Sequence, residues 1–388
     1  MKWKMRRPSS IAGVFASLSL LLGLGQSNAQ QTDHAQLWQA YAAKFISADG
    51  RVVDPLVGGR TTSEGQSYAL FFALVNNDRA RFVKLLAWTE SNLAGGDLGA
   101  HLPAWSWGQG KDGRWGVLDH NSASDSDLWI AYDLIEAGRI WDDEKYAKLG
   151  RRLAETIAQR ETANLPRLGQ MLLPGPTELF HHSDSWTLNP SYIPLFLLNR
   201  LTVVSPAGPW ANIAATLPPL LERSSRRGFA MDWVCYVPTD GFSPCQTSGQ
   251  PPPPTGSYDA IRVYLWAGML ADGNPAKARL LKALPGMNTY MQHSAAPPEK
   301  ISADGTVQPQ NGPVGFSAAL LPYLEGYSNR AAVAQQLVRL KSQLDEKSHL
   351  YGSSPTYYDQ NLILFGSGWI EKRFEFGIRG ELLVRWSR

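Results

Sequence analysis

The feature that most constrains the fold is a helical rhythm that runs almost unbroken through the chain. Apolar residues recur three and four positions apart, which is the spacing of helices that bury one face. Many segments begin with Ser, Thr, Asp or Asn, the residues preferred at helix N-caps. The pattern predicts about twelve helices, near His34–Ile46, Ser63–Asn76, Arg79–Leu93, Asp125–Trp141, Glu144–Glu161, Ser191–Leu201, Trp210–Arg223, Tyr258–Ala271, Pro275–Met291, Phe316–Glu325, Asn329–Leu344 and Tyr357–Phe365.

This count predicts an all-α fold. No Ser/Gly-rich linker or charge run divides residues 30–388, so we expect them to form a single domain. About twelve helices in one domain favour a toroid of paired helices, about six inner and six outer, with loops and helix N-termini around a groove at one end. A plain helical bundle fits the count almost as well. The segment Met231–Pro244 is more strand-like and predicts a small β hairpin.

Residues 1–29 have the pattern of a secretory signal peptide. Four basic residues occur among the first seven, an apolar run extends from Ile11 to Leu24, and Ser27-Asn28-Ala29 supplies small residues for cleavage after Ala29. The alternative is a membrane anchor, but the apolar run is short for a span. No stable membrane insertion is therefore expected once the segment is removed.

Loss of this segment changes the electrostatic character of the protein. The whole chain has a formal net charge of +3, and removal of the four basic residues changes it to −1. The mature protein then has no basic excess of the kind that nucleic acids attract. No nucleic-acid partner is expected.

The two cysteines, Cys235 and Cys245, are close enough in sequence to form a disulfide that closes a small loop, as exported proteins allow. The alternative is two free thiols. The chain has no Gly-x-Ser-x-Gly elbow and no phosphate loop, and its seven His residues show no zinc-ligand spacing. Neither a metal nor a cofactor is predicted.

Three short stretches each place a carboxylate among small residues at the predicted start of a helix. They are Thr61–Tyr68, Asn121–Asp127 and Ser257–Arg262. Carboxylates that are distant in sequence but similarly presented are what glycoside hydrolysis requires: an acid, a base and a group that holds the sugar.

Glu64 has two interpretations. It can complete a capping box with Thr61, or it can act as a general acid. A general acid must be protonated near neutral pH, whereas a helix N-terminus favours the anion. Glu64 can therefore be the acid only if burial or a nearby carboxylate outweighs the helix dipole.

Asp125 and Asp127 can serve as the N-cap and first-turn acid of the following helix, although one cap needs only one carboxylate. An ionised Asp at this position could bind sugar hydroxyls. Asp259 can be a first-turn acid paired with Arg262 after a Ser257 cap. The same arrangement suits a general base, because the helix dipole and the Arg keep the Asp ionised.

Aromatic residues are candidates for stacking on sugar rings. Most Trp residues in a domain of this size belong to the core. The better binding candidates lie in Pro/Gly-rich connections, namely Trp105, Trp107 and Trp115, and we add Tyr192 and Tyr264 near the acidic stretches.

The run Ala123–Trp141 resembles the signature of glycoside hydrolase family 8. Thr61–Tyr68, Ser257–Arg262 and Asn189-Pro-Ser-Tyr192 are similar to three other motifs of that family. Further similarities, which extend the resemblance from about Tyr41 to the C-terminus, are Leu102–Trp105, Pro298–Lys300, Gly312–Ser317 and Gly380–Leu383.

This resemblance implies an (α/α)6 barrel that hydrolyses β-1,4-glucan with inversion of configuration. It places Glu64 at the general acid and Asp259 at the catalytic base. Asp125 falls at an Asp that binds the sugar at the cleavage point. Arg262 falls at an Arg beside the base, and Tyr192 falls where an aromatic hydroxyl lies near the attacking water.

Two residues depart from the family pattern: Ser126 stands where Gly or Ala is usual, and Asp133 stands where a small residue is usual. Within the family, the motifs are most similar to the periplasmic endoglucanases encoded with bacterial cellulose synthase. That similarity implies a periplasmic enzyme acting on nascent cellulose, with the synthase export complex as a further partner. The alternatives are a non-catalytic glucan-binding assembly protein, a polysaccharide lyase on a similar toroid, or a family 8 hydrolase for chitosan, xylan or mixed-linkage glucan.

Overall fold

The computed structural model describes residues 34–245 and 254–387, so the predicted signal peptide lies outside the described residues. The described residues contain fourteen α-helices: α1 (His34–Phe45), α2 (Ser63–Val75), α3 (Arg79–Leu93), α4 (Ser124–Ile140), α5 (Glu144–Arg160), α6 (Thr177–Phe180), α7 (Leu195–Val204), α8 (Trp210–Ser224), α9 (Ala260–Met269), α10 (Pro275–Ala283), α11 (Pro285–Met291), α12 (Val314–Gly326), α13 (Arg330–Ser342) and α14 (Tyr357–Ile370).

Short antiparallel strands occupy the connections between helices. One sheet has the order β1-β2-β3, another has the order β6-β7-β8-β9, and the remaining strands form pairs. Their bounds are β1 (Thr61–Thr62), β2 (Ser106–Gln109), β3 (Trp115–Asp119), β4 (Thr162–Leu165), β5 (Gly169–Leu172), β6 (His181–His182), β7 (Ser185–Leu188), β8 (Val234–Val237), β9 (Gly241–Pro244), β10 (Thr255–Gly256), β11 (Ile301–Ser302), β12 (Leu344–Asp345), β13 (Leu350–Tyr351), β14 (Phe374–Phe376) and β15 (Leu382–Val384).

The helices form two concentric rings. The inner ring is α2, α4, α7, α9, α12 and α14; most neighbours pack side by side, and α14 returns to α2. Between α7 and α9, the rings of Phe196 and Trp266 are in contact, with centroids 5.8 Å apart. The outer ring is α3, α5, α8, α10, α13 and α1, packed in that order on the inner helices. The toroid predicted from helix count, and the (α/α)6 barrel implied by the resemblance, are confirmed.

Connection lengths differ between the two ends of the barrel. Each inner helix except α14, which is the last, is joined to the following outer helix by three to five residues, whereas 14 to 35 residues lead from an outer helix to the next inner one. Because the chain reverses between each inner helix and the outer helix next to it in sequence, the six inner helices all run in the same direction. Their N-termini therefore meet at the end of the barrel that carries the long connections.

The three shortest turns share one conformation. Their middle residues, Asn77, Asp142 and Ser328, have φ values of 54°, 54° and 55°, a left-handed conformation that Asn and Asp tolerate better than most residues. In each turn the next residue caps the outer helix, with a side-chain oxygen that accepts from a first-turn amide. This repeated turn chemistry explains why the predicted boundaries of these helix pairs were accurate.

Aromatic side chains fill the middle of the barrel. The Trp129 ring on α4 contacts rings from four other inner helices. The centroid distances are 5.0 Å to Phe71, 5.8 Å to Phe196, 5.4 Å to Trp266 and 5.3 Å to Phe365. These ring contacts consequently join the inner helices through a shared aromatic core.

Prolines explain two differences from the predicted helices. The segment predicted as Pro275–Met291 is two helices, because Pro285 lacks the amide hydrogen that would continue α10. The helix predicted to begin at Ser191 begins at Leu195, directly after Pro194. The predicted hairpin is present as β8 and β9, within a four-stranded sheet. In the described parts of the chain, no helix is both long and apolar enough to cross a bilayer.

Asp133 on α4 is a buried acidic residue that we expect to destabilise the fold. It has no exposed surface, and neither carboxyl oxygen has a hydrogen-bond partner among the described residues. Burial raises the pKa of this carboxyl well above its ordinary value, and Glu136 contributes to the rise. The folded state therefore favours the protonated carboxyl. As pH rises above 3.8, the ordinary pKa of Asp in the unfolded chain, Asp133 lowers the free energy of unfolding by an increasing amount.

We expect Asp133→Ala to stabilise the protein by about 1–3 kcal/mol at pH 7, because it removes an unsatisfied buried carboxyl. The gain should be smaller at pH 4.5, where the carboxyl is more readily protonated. Denaturant unfolding at the two pH values measures both quantities. Glu155→Ala on the exposed face of α5 is the control. A lower stability of Asp133→Ala at pH 7 would contradict the interpretation.

Candidate active site

The three predicted catalytic carboxylates occupy equivalent positions in the barrel. Glu64 is the second residue of α2, Asp125 is the second residue of α4, and Asp259 directly precedes α9. These are inner helices that run in the same direction, so their first turns lie at the same end. The topology thus brings together groups that are up to 195 positions apart in sequence.

Arg262 connects all three carboxylates. Its Nη1 atom donates to Glu64 Oε2 at 2.8 Å and to Asp125 Oδ2 at 2.9 Å, and its Nη2 atom donates to Asp259 Oδ1 at 2.6 Å. Nη1 also donates to the Tyr68 hydroxyl at 2.9 Å. The Arg262 side chain is only 2% exposed, whereas those of Glu64 and Asp259 are 19% and 25% exposed. A buried cation therefore holds two partly accessible carboxyls.

None of the three carboxylates serves as a helix cap. The N-cap of α2 is Thr62, whose hydroxyl accepts from the Gly65 amide, so the predicted capping box between Thr61 and Glu64 does not form. No side chain caps α4, and Asp125 Oδ1 accepts from the Ser126 amide. The structural explanations for Glu64 and Asp125 therefore fail, and their carboxyls are directed to Arg262 instead.

The start of α9 is capped from a distant segment. Ser257, the predicted cap, donates its hydroxyl to the Glu299 carbonyl. Asp232 Oδ1 accepts from the amides of Ser257 and Ala260, each at 2.8 Å. Asp259 accepts from Arg262 and, at its other oxygen, from Asn189 Nδ2 at 3.0 Å.

Burial raises the pKa of Glu64 to about 7. The Asp125 and Asp259 carboxylates contribute to the rise, while the Arg262 guanidinium opposes it. Burial also raises the pKa of Asp125, again against the effect of Arg262. The requirement derived from the sequence, that burial or a neighbouring carboxylate offset the helix dipole at Glu64, is met mainly by burial.

Aromatic residues lie beside Arg262 and on the strands that lead to Glu64. The Arg262 guanidinium lies over the Tyr192 ring, 5.5 Å from its centroid.

Strand β1 leads directly into α2 and pairs with β2, which carries Trp107. The Trp105 carbonyl accepts from the Ser63 amide, next to Glu64. Trp107 stacks on Trp115 at 5.3 Å, and Trp115 is 49% exposed.

Two predicted binding residues, Asp127 and Tyr264, are buried and make no hydrogen bond to Arg262 or its carboxylates. Asp127 is fully buried beside Glu161, and burial raises the pKa of both carboxyls, that of Glu161 to about 8. Tyr264 is 1% exposed, and its hydroxyl accepts from the Ala230 amide. Each lies two positions along a helix from a residue that does join the cluster.

Several residues around the cluster were not among the predicted site residues. Tyr68, Asn189 and Asp232 contact it as described above, and the Tyr357 hydroxyl at the start of α14 lowers the pKa of Glu64. Trp233 lies 6.2 Å from the Tyr192 ring. Asn189 was detectable, because it begins the Asn189–Tyr192 motif; Asp232 and Tyr357 have no comparable signal.

Cys235 and Cys245 form a disulfide that links β8 to the residue after β9. This bond lies close in sequence to Asp232 and Trp233, and so helps to hold the segment beside the site. Among the described residues, no group of three His, Cys, Asp or Glu side chains could hold a metal ion.

The chain matches the model for glycosyl hydrolases family 8 over residues 13–372. It is 46% identical to an endoglucanase of Xanthomonas axonopodis pv. citri (strain 306), covering 98% of this chain and 97% of that protein. It is 43% identical to an endoglucanase of Escherichia coli (strain K12), covering 90% and 91%. The crystal structure of an endo-1,4-D-glucanase from Vibrio fischeri ES114 covers 91% of this chain and 99% of its own, with a TM-score of 0.83 and 42% identity. The chain belongs to glycoside hydrolase family 8, as an endoglucanase of that family.

Proposed function

We propose that this enzyme hydrolyses β-1,4-glucan with inversion, with Glu64 as general acid, Asp259 as general base and Asp125 as the group that holds the sugar at the cleavage point. The single observation that carries this assignment is the binding of all three carboxylates by the buried Arg262. The endoglucanase names of relatives and the solved endo-1,4-D-glucanase support the substrate.

In this mechanism Glu64 protonates the glycosidic oxygen as the bond to the leaving sugar breaks. Asp259 removes a proton from a water that attacks the anomeric carbon from the opposite face. Arg262 opposes the negative charge that the three carboxylates share. Asp125 is 3% exposed, so it is placed to contact a sugar only at the bottom of the site.

Inversion requires room for a water, about 6.5–9.5 Å between the acid and base carboxyls. Glu64 and Asp259 are bound by different nitrogen atoms of one guanidinium, which keeps the two carboxyls apart. The test is incubation with soluble carboxymethyl-cellulose, with reducing ends counted and the anomer of a cello-oligosaccharide product followed by NMR. Initial release of the α-anomer supports inversion, whereas the β-anomer would show retention.

The pKa of Glu64 sets the expected pH dependence. Because the raised pKa is about 7 and the acid acts when protonated, kcat/KM should fall about tenfold per pH unit above that value. A profile from pH 5 to pH 9 on a neutral cello-oligosaccharide measures this limb. A rate that is constant up to pH 9 would exclude Glu64 as a proton donor with this pKa.

We further propose that the enzyme acts in the periplasm on nascent cellulose, beside the synthase export complex. The signal-peptide pattern of residues 1–29 supports export, and a disulfide is typical of an oxidising compartment. Cell fractionation combined with N-terminal sequencing of the mature protein tests the location. A cytosolic protein that retains residues 1–29 would refute it.

A further inference from the structure

Asp232 connects a strand to the helix that follows the proposed base. It lies two residues before β8, and its amide donates to the Thr255 carbonyl at 2.9 Å. One oxygen of its carboxyl accepts from the amides of Ser257 and Ala260. These two amides lie on either side of Asp259 in the chain.

This contact answers a structural need that the site itself creates. Asp259 occupies the N-cap position of α9 but has helical φ and ψ values of −79° and −50°, and its side chain makes no capping bond. Its carboxyl is instead bound by Arg262 and Asn189. Because the first amides of a helix require acceptors, another group has to supply them. Asp232 does so through one oxygen. Burial and the nearby Asp259 carboxylate raise the pKa of Asp232 to about 7, against the effect of the two amides, so the contact depends on the acceptor oxygen and not on a full negative charge.

We propose that Asp232 is a positioning residue for the hydrolytic reaction, which fixes the direction of the Asp259 carboxyl by holding the backbone on both sides of it. This inference rests on the proposed role of Asp259 as general base. Asp232 acts only through the backbone of its neighbour and does not touch the substrate. A displacement of about 1 Å in a reacting group can lower a rate about 100-fold, so the contact has a measurable consequence.

Three variants test whether the reaction requires an acceptor oxygen at the position that Asp232 supplies. We expect Asp232→Ala to lower kcat on carboxymethyl-cellulose about 10- to 100-fold while KM changes less than about threefold. Asp232→Asn should regain most of the lost kcat, because its oxygen can accept from the same two amides. Asp232→Glu retains a carboxyl group but displaces its oxygen by one methylene group, and should fold normally yet turn over slowly. Asp143→Ala, which removes the cap of the outer helix α5, is the matched control and should leave kcat unchanged.

A substrate with an activated leaving group distinguishes a defect in the general acid from a defect in the general base. With a dinitrophenyl β-cellobioside, protonation of the leaving group is unnecessary, so a variant impaired in the acid recovers and a variant impaired in the base does not. Asp232→Ala should therefore remain slow on this substrate, while Glu64→Gln should recover. The same assay tests the underlying assignment separately, since Asp259→Asn should be slow on both substrates.

Wild-type kcat in Asp232→Ala or Asp232→Glu would overturn the proposal. So would recovery of Asp232→Ala on the dinitrophenyl substrate, which would place its effect on the acid. If Asp232→Ala is unfolded by thermal melting, Asp232→Glu decides the question, because equal kcat to wild type would leave only a structural role. High activity of Asp259→Asn would instead refute the proposed base.

Discussion

Glu64→Gln is expected to lower kcat on carboxymethyl-cellulose about 1,000-fold, because glutamine cannot donate a proton to the leaving oxygen. Its side-chain oxygen can still accept from Arg262 Nη1, which binds Glu64 Oε2 at 2.8 Å in the wild type. The arrangement of the remaining carboxyls should therefore persist. Binding of a cello-oligosaccharide, measured by calorimetry, should remain within about threefold of wild type.

The control for this prediction is Glu155→Gln, which makes the same chemical change on the exposed face of α5. It should leave both kcat and binding unchanged. Activity of Glu64→Gln within tenfold of wild type would exclude Glu64 as the acid. Loss of binding together with loss of turnover would indicate that Glu64 mainly holds the substrate.

The second large effect is expected at Arg262. Replacing it by Leu leaves the carboxyls of Glu64, Asp125 and Asp259 without their shared cation in a largely buried site. Removal of one partner from a buried ion pair typically costs about 3–5 kcal/mol, and we expect this loss in the free energy of unfolding at pH 7. Turnover should fall at least about 100-fold, because the acid, the base and the sugar-binding carboxyl are all displaced.

The sign of the pH dependence identifies the cause. Without the guanidinium, the carboxyls fold more readily when protonated, so part of the lost stability should return between pH 7 and pH 5. Arg262→Lys should recover part of the stability but little of the activity, because an ammonium group cannot reproduce the planar fork. Arg279→Leu, which breaks an exposed pair with Glu222, should leave the free energy of unfolding nearly unchanged. Wild-type stability in Arg262→Leu would show that the bridge contributes little.

Much of the fold could be predicted because two independent signals in the sequence mark the helices. Their apolar spacing marks the faces that pack, and residues such as Asp78, Asp143 and Asn329 mark where outer helices begin. The short strands were largely missed, because two to five residues are too few for an alternating pattern to be recognised.

Within the site, the main errors concern which side of a helix a residue occupies. Asp125 and Asp127 are two positions apart, as are Arg262 and Tyr264, and such residues point about 200° apart on a helix. In each pair only one member joins the cluster, so helical geometry already contained this information. Asp232 was beyond prediction, because only the tertiary fold places it against a helix that begins 28 residues later.

The unequal lengths of the barrel connections have an evolutionary consequence. Turns of three to five residues close one end, and an insertion there would change the register between paired helices. At the other end, connections of 14 to 35 residues lead into the first turns of the inner helices, where the catalytic cluster lies, and changes in such loops are tolerated better than changes in the helices. Substrate preference can therefore change through these loops while the helical frame is kept, and grafting the segments between relatives is a rational way to redesign it.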